Sequence, residues 1–186
     1  TLAAIAREHN APTTAFLREA GGAFAIRYFL PIGELPLVGH ASLAAAHVVL
    51  KILPSGLVSA TLKRRNGTLR ISAEDGGRLA ITLSASPAQP CATPAGLAGA
   101  LGAEIAEIRA NGAQYFAVLE NASTVARIAP DMDALMRLDR DGLVVTARGE
   151  DCDFVSRAFA PKEGLPEDPV CGSAHLALVP FWAERL

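Results

Sequence analysis

The sequence predicts an α+β protein of two lobes, and three observations carry that expectation. Strand-like segments follow one another in runs instead of alternating strictly with helices. Residues 86–96 (SPAQPCATPAG) crowd three prolines between periodic segments, which marks a connection between two folded parts. A strand, a glycine-containing turn and a helix start also recur in similar residues in both halves of the chain. The expected lobes are residues 1–88 and 89–186.

The elements follow in order. Leu2, Ile5 and Ala6 stand at helical spacing, so the chain opens in a helix that stops near Asn10 and Pro12. Segments 14–18 and 23–30 are rich in Phe, Ile and Tyr and read as strands joined at Gly21-Gly22. From 40 to 53 the Ala, Val and Leu content reads as a buried helix ended by Pro54. Three strands are expected near 58–65, 67–73 and 79–85, the first two forming a hairpin over Asn66-Gly67. Beyond the proline-rich stretch come a helix near 95–102, strands near 104–110 and 114–120, and a helix near 131–138. Strands near 142–148 and 153–160 follow, and the last segment, 173–185, reads as a helix despite Pro180.

Composition narrows the function. With 186 residues and 51% hydrophobic content the chain can bury a substantial core. A formal charge of -2 with scattered Lys and Arg gives no basic stripe for phosphates, so nucleic acid is not an expected partner. No apolar run reaches membrane-spanning length and the first residues lack a secretory pattern, so a soluble cytoplasmic protein is expected. Cys91, Cys152 and Cys171 are odd in number and lack CxxC spacing, which argues against a disulfide scaffold or a structural metal site.

The internal repeat carries the chemistry. Arg27-Tyr28-Phe29-Leu30-Pro31 is echoed by Arg157-Ala158-Phe159-Ala160-Pro161, and Leu37-Val38-Gly39-His40-Ala41 by Val170-Cys171-Gly172-Ser173-Ala174. The spacing between the paired segments differs by three residues. A strand that feeds a glycine turn at a helix N-terminus leaves backbone N–H groups free to bind an anion. Two such turns facing one cleft would clamp a carboxylate and present an acidic carbon for proton transfer.

Residues 34–47 (ELPLVGHASLAAAH) and 167–175 (EDPVCGSAH), each after its Arg-x-Phe-x-Pro strand, resemble the paired signatures of the PhzF-like (phenazine-biosynthesis) family. Residues 5–10 (IAREHN), followed by Thr13-Thr14-Ala15-Phe16, are similar to that family's first helix and strand. The resemblance implies a diaminopimelate-epimerase-like fold of two pseudo-symmetric lobes, each a barrel-like sheet around a central helix. It further implies an isomerase that shuttles a proton on a small carboxylate metabolite without metal or organic cofactor, commonly as a homodimer. Carried over by motif, His40 and Asp168 would move the proton and Ser173 would orient substrate. Gly39, Gly172 and the neighbouring Ala41 and Ala174 would line the substrate, together with Asn10 and Thr13. Family members have a strand before the first helix and strands after the last, so this sequence reads as truncated at both ends.

Two departures qualify the mechanism. The family's acid/base glutamate stands in Asn-x-Ser-Glu-Thr, which here is Asn10-Ala11-Pro12-Thr13-Thr14, and a threonine hydroxyl is no general base near neutral pH. That substitution favours an alternative, a catalytically impaired member that binds a small ligand or a protein. Cys171 matches one catalytic thiol of the related diaminopimelate epimerases while Val38 occupies the opposing position. A lone thiolate at a helix N-terminus, its pKa lowered there, would serve a one-base isomerase or a dehydratase. Glu34 and Glu167 read as solvated loop charges.

Overall fold

The opening amphipathic stretch folds as helix α1, Leu2–His9, in the computed structural model of the chain, which describes residues 1–31, 33–54 and 56–186. Thr1 caps it by accepting from the Ala4 N–H, and Asn10 ends it in the left-handed region at φ 49°, a conformation asparagine tolerates. By contact density the chain divides into two units, Thr1–Ser84 and Ala85–Leu186.

In the first unit β1 (Thr14–Ala20) and β2 (Ala23–Leu30) form a hairpin whose two turn residues, Gly21 and Gly22, both take positive φ, as a tight hairpin turn demands. One edge of β2 carries β1. The other is shared by β3 (Gly33–Leu35), antiparallel at Tyr28–Leu35, and β4 (Ser59–Arg64), parallel at Phe24–Leu62. β5 (Gly67–Ala73) and β6 (Leu79–Ile81) complete the order β1-β2-β4-β5-β6. Helix α2, Gly39–His47, lays Ala41, Ala45 and Ala46 on Ile26, Tyr28, Leu62 and Ile71, small residues letting helix and sheet approach closely. Tyr28 and Ser42 share a 2.6 Å hydrogen bond, and the Ser42 hydroxyl donates to Val38 O at 2.7 Å, so the start of α2 is tied to β2 inside the core. The single helix expected to Leu53 instead widens into a π-helical turn, Val48–Ile52, and Leu53 is extended. Pro54 forces that, since the residue before proline is driven out of helical geometry.

The second unit orders its sheet β12-β11-β10-β9-β8-β7. The strands are β7 (Gln89–Pro90), β8 (Glu107–Ala110), β9 (Gln114–Val118), β10 (Gly142–Arg148), β11 (Phe154–Ala160) and β12 (Leu165–Asp168). β9 and β10 run parallel, joined through α4 (Ala122–Arg127) and α5 (Met132–Met136), while α3 (Leu97–Leu101) precedes β8. Both faces are covered. Tyr115, Leu143, Val145 and Phe159 pack in one cluster with Leu97, Val125 and Leu135. Phe116, Val144 and Ala158 pack in another with Ala177, Leu178 and Trp182 of helix α6, His175–Ala183. That double burial is why β10 reads as a continuous apolar run.

The proline-rich stretch is more structured than expected. Gln89–Pro90 pairs with β8 at the sheet edge, where a residue without an N–H does least harm. Just before it, the Ser86 N–H donates to Leu176 O at 2.8 Å, the carbonyl that Pro180 cannot serve from inside α6. That bond lets the helix carry its proline. Among the described residues no helix is long and apolar enough to cross a membrane.

Candidate functional site

Each unit contains one strand-to-helix corner built from the repeated residues. In the first, Arg27 on β2 donates Nε and Nη2 to the two carboxylate oxygens of Glu34 on β3 at 2.8 and 2.7 Å, and its guanidinium lies 5.0 Å from the Phe29 ring. The chain then passes Pro36, whose carbonyl accepts from Arg64 Nη1 at 3.1 Å, and Val38, extended, into Gly39, His40 and Ala41. Their N–H groups open α2 and have no acceptor within the helix. The His40 ring is exposed and Ala41 is buried. An open groove of about 390 Å³ runs beside this corner where β3 and β4 diverge along β2, lined by Arg27, Glu34, Pro36, Arg64 and Asn66.

The second unit repeats the arrangement. Arg157 donates Nε and Nη2 to Glu167 at 2.8 and 2.9 Å, and its guanidinium lies 5.1 Å from the Phe159 ring. Its Nη1 additionally reaches Val125 O, Ala126 O and Ile128 O at the end of α4. Asp168 stands opposite Ala158, as Leu35 stands opposite Tyr28 in the first unit. The Asp168 carboxylate accepts from the Val170 N–H at 3.0 Å, and the Cys171 sulfur lies 3.4 Å from the Ser173 hydroxyl. Gly172 directs its N–H to Val170 O at 3.0 Å, and the His175 ring sits against Cys171 O at 3.2 Å. A short 3₁₀ turn, Gly172–Ala174, leads into α6.

The Cys171 thiol behaves opposite to the lowering expected of a helix N-terminus. Its pKa is raised, first because the side chain packs against the apolar cluster under α6, and further by the charge of Asp168. The Ser173 hydroxyl and the Ala174 N–H oppose the rise without cancelling it. Desolvation of the thiolate outweighs the backbone donors, so sulfur is a protonated thiol near neutral pH.

Asp168, Cys171 and Ser173 are therefore brought together in one corner, and Gly39, His40 and Ala41 in the other. Asn10 ends α1 and Thr13 stands just before β1. Next to Thr13, the Thr14 hydroxyl is buried without a hydrogen-bond partner among the described residues. Glu34 and Glu167, read as solvated, are instead held by arginine in both units. The signal for them was present, since residues 34–41 and 167–174 share Glu, Pro, Gly and Ala at matching places. Among the described residues no three His, Cys, Asp or Glu side chains converge as a metal site would require. A concavity of about 500 Å³ lies elsewhere in the second unit around Glu104, Glu120 and Arg127.

The Glu163 carboxyl, on an exposed residue of the turn Pro161–Glu163, is raised above its usual range by partial desolvation and by the charges of Asp141 and Asp168. A raised carboxyl penalises the folded state above its folded pKa, and the penalty vanishes below its unfolded pKa. Glu163→Gln is therefore expected to raise the melting temperature at pH 7 and to leave it unchanged in acid, as thermal melts across pH would show.

Comparison with known proteins places these features in context. A family model described as phenazine biosynthesis-like protein matches residues 1–186. An uncharacterized isomerase of Pseudomonas aeruginosa is 43% identical over 185 residues, covering 100% of this chain and 71% of that protein. The crystal structure of a PhzF-family phenazine biosynthesis protein from Enterococcus faecalis superposes with a TM-score of 0.93 at 37% identity, over 99% of this chain and 70% of that one. A predicted epimerase from Pseudomonas aeruginosa, 23% identical, shares the fold at a TM-score of 0.67 over 99% of this chain and 71% of that one. The α+β, diaminopimelate-epimerase-like architecture expected from the sequence stands.

Proposed function

Since the chain belongs to the phenazine biosynthesis-like (PhzC-PhzF) family, we propose that it is an isomerase that moves a proton at a carbon of a small carboxylate metabolite using its own side chains. The convergence of the Asp168 carboxylate, the Cys171 thiol and the Ser173 hydroxyl at one helix start supports this reading most.

The two corners differ in their reactive groups. Where the second unit has Asp168, Cys171 and Ser173, the first has Leu35, Val38 and His40 at the matching positions. Asp168 is the base that removes the proton, and the protonated Cys171 thiol returns it at a second position, while His40 is the proton-transfer group of the first corner. Ser173 orients the substrate and the Ala174 N–H stabilises the enolate-like charge, while the first-turn N–H groups at Gly39 and Ala41 offer an anion the same kind of support at the first corner. Gly172 joins Ala174 by turning its N–H away from Val170 O. Asn10 and Thr13 contribute hydrogen bonds without acid/base power.

Thr13 favours a second reading, in which the same residues bind a ligand without turning it over. The test is a panel of small carboxylates, selected by thermal shift and incubated in D₂O. Deuterium entering a substrate carbon supports the isomerase, and a stabilising ligand with no exchange supports the binding module. With an exchanging substrate in hand, Cys171→Ser is expected to slow the reaction. Unchanged turnover would remove the thiol from the mechanism.

A further inference from the structure

The arginine–glutamate bridge recurs in both units with an agreement that ordinary surface ion pairs do not show. In each, a strand arginine donates two hydrogen bonds to a glutamate on the next strand and lies over the phenylalanine two residues further along its own strand. The agreement survives a difference in chain length. The second unit carries three more residues between the proline and the glutamate, and the turn Pro161–Glu163 interrupts the path between its two strands. The β11–β12 register shifts between Ala158 and Ala160, yet the glutamate still meets its arginine in the same two-bond geometry.

We propose that Arg157–Glu167 is a positioning pair for Asp168 and Cys171, and that Arg27–Glu34 does the same for the corner that presents His40. Glu167 is bonded directly to Asp168, and Asp168 pairs across the ladder with Ala158, the neighbour of Arg157. Fixing Glu167 in two directions therefore fixes the peptide from which the Asp168 side chain departs and the turn that carries Cys171 to Ser173. Arg157 is itself held, through Val125 O, Ala126 O and Ile128 O of α4 and the Phe159 ring, so β11, β12 and a helix end meet on one guanidinium. A lysine offers one compact charge and cannot reproduce that fork. Both ion pairs retain solvent contact, so their contribution to stability is small and their consequence is geometric.

This inference rests on the reading of the corners as the reactive site, but its test needs no substrate. In a Cys91→Ser/Cys152→Ser background Cys171 is the sole thiol, and its alkylation by iodoacetamide is followed against pH. The groups acting on that sulfur are the Asp168 carboxylate at the end of β12, the Ser173 hydroxyl and the Ala174 N–H, with the His175 ring on the Cys171 carbonyl. Loosening the pair by Arg157→Lys or Glu167→Gln is expected to let water reach the sulfur. The profile should then move to lower pH by about one unit, a roughly tenfold faster reaction at pH 7.5, with an unchanged far-UV spectrum. Profiles superimposable on the parent in both variants would overturn the proposal. Global unfolding of both would overturn it equally, because the pair would then hold the fold and not the corner. Failure of the deuterium experiment leaves this outcome untouched, and an unmoved profile refutes the positioning role even in an active enzyme.

Discussion

Asp168→Asn is expected to slow proton exchange at the substrate carbon by about 10²–10⁴-fold, the range a positioned general acid or base contributes. Asparagine keeps an oxygen at the place where the Asp168 carboxylate accepts from the Val170 N–H, so the turn into Cys171 retains its shape. What is lost is the negative charge and with it the capacity to take a proton. The same change withdraws one of the influences that hold the Cys171 thiol high, so alkylation of that thiol should accelerate in the variant that has lost turnover. Deuterium incorporation by NMR, alkylation kinetics and a thermal melt on the same preparation separate the two effects from unfolding. Undiminished exchange would show that Asp168 is not the base.

Phe159→Ala is expected to destabilise the protein by about 3–5 kcal/mol, the usual cost of removing a fully buried aromatic side chain. Phe159 is 1% exposed and packs with Leu97, Tyr115, Leu143 and Val145 beneath α3 to α5. Truncation leaves a cavity that these neighbours, fixed on strands and helices, can only partly close. A loss of that size is a large fraction of the roughly 5–15 kcal/mol that holds a typical domain together. Urea titration should show a much lower midpoint. The ring also lies under the Arg157 guanidinium, so the Arg157–Glu167 pair loses one support in the same variant.

The elements legible in the sequence were those whose punctuation is local. Gly21-Gly22 and Asn66-Gly67 announce hairpins, and the structure places turns there with positive φ at Gly21, Gly22 and Gly67. Helix α2 and strands β9 to β11 followed from apolar content between breakers. Strands β3 and β12 were missed because they are short and paired along only part of a neighbour, so no alternation builds up in Glu34 or Glu167 and their surroundings. Helix α4 was missed although Asn121 caps it by accepting from the Thr124 N–H, because its six residues carry too little period to register. The role of Ser86 could not be read at all, since its partner, the Leu176 carbonyl, lies in the last helix and is unserved only because of Pro180.

The site was legible as a repeated corner and illegible in its electrostatics. A helix start argues for a more acidic thiol, and only the packing of Cys171 against the apolar cluster under α6 shows that desolvation prevails. The arginine partners of Glu34 and Glu167 lie across a strand pair, seven and ten residues back along the chain, distances at which sequence periodicity says nothing. The matching Glu, Pro, Gly and Ala were the available clue.

The turn at Pro161–Glu163 has a consequence for how the two copies of this motif can diverge. It absorbs additional chain before the glutamate is reached, and everything downstream resumes its alignment as though nothing had been inserted. Loop closure costs grow only with the logarithm of length, so extra residues at that bend weigh little on the folded state. Size and reactivity are thereby uncoupled: one copy can lengthen or shorten its outer bend while its reactive groups change independently, one substitution at a time.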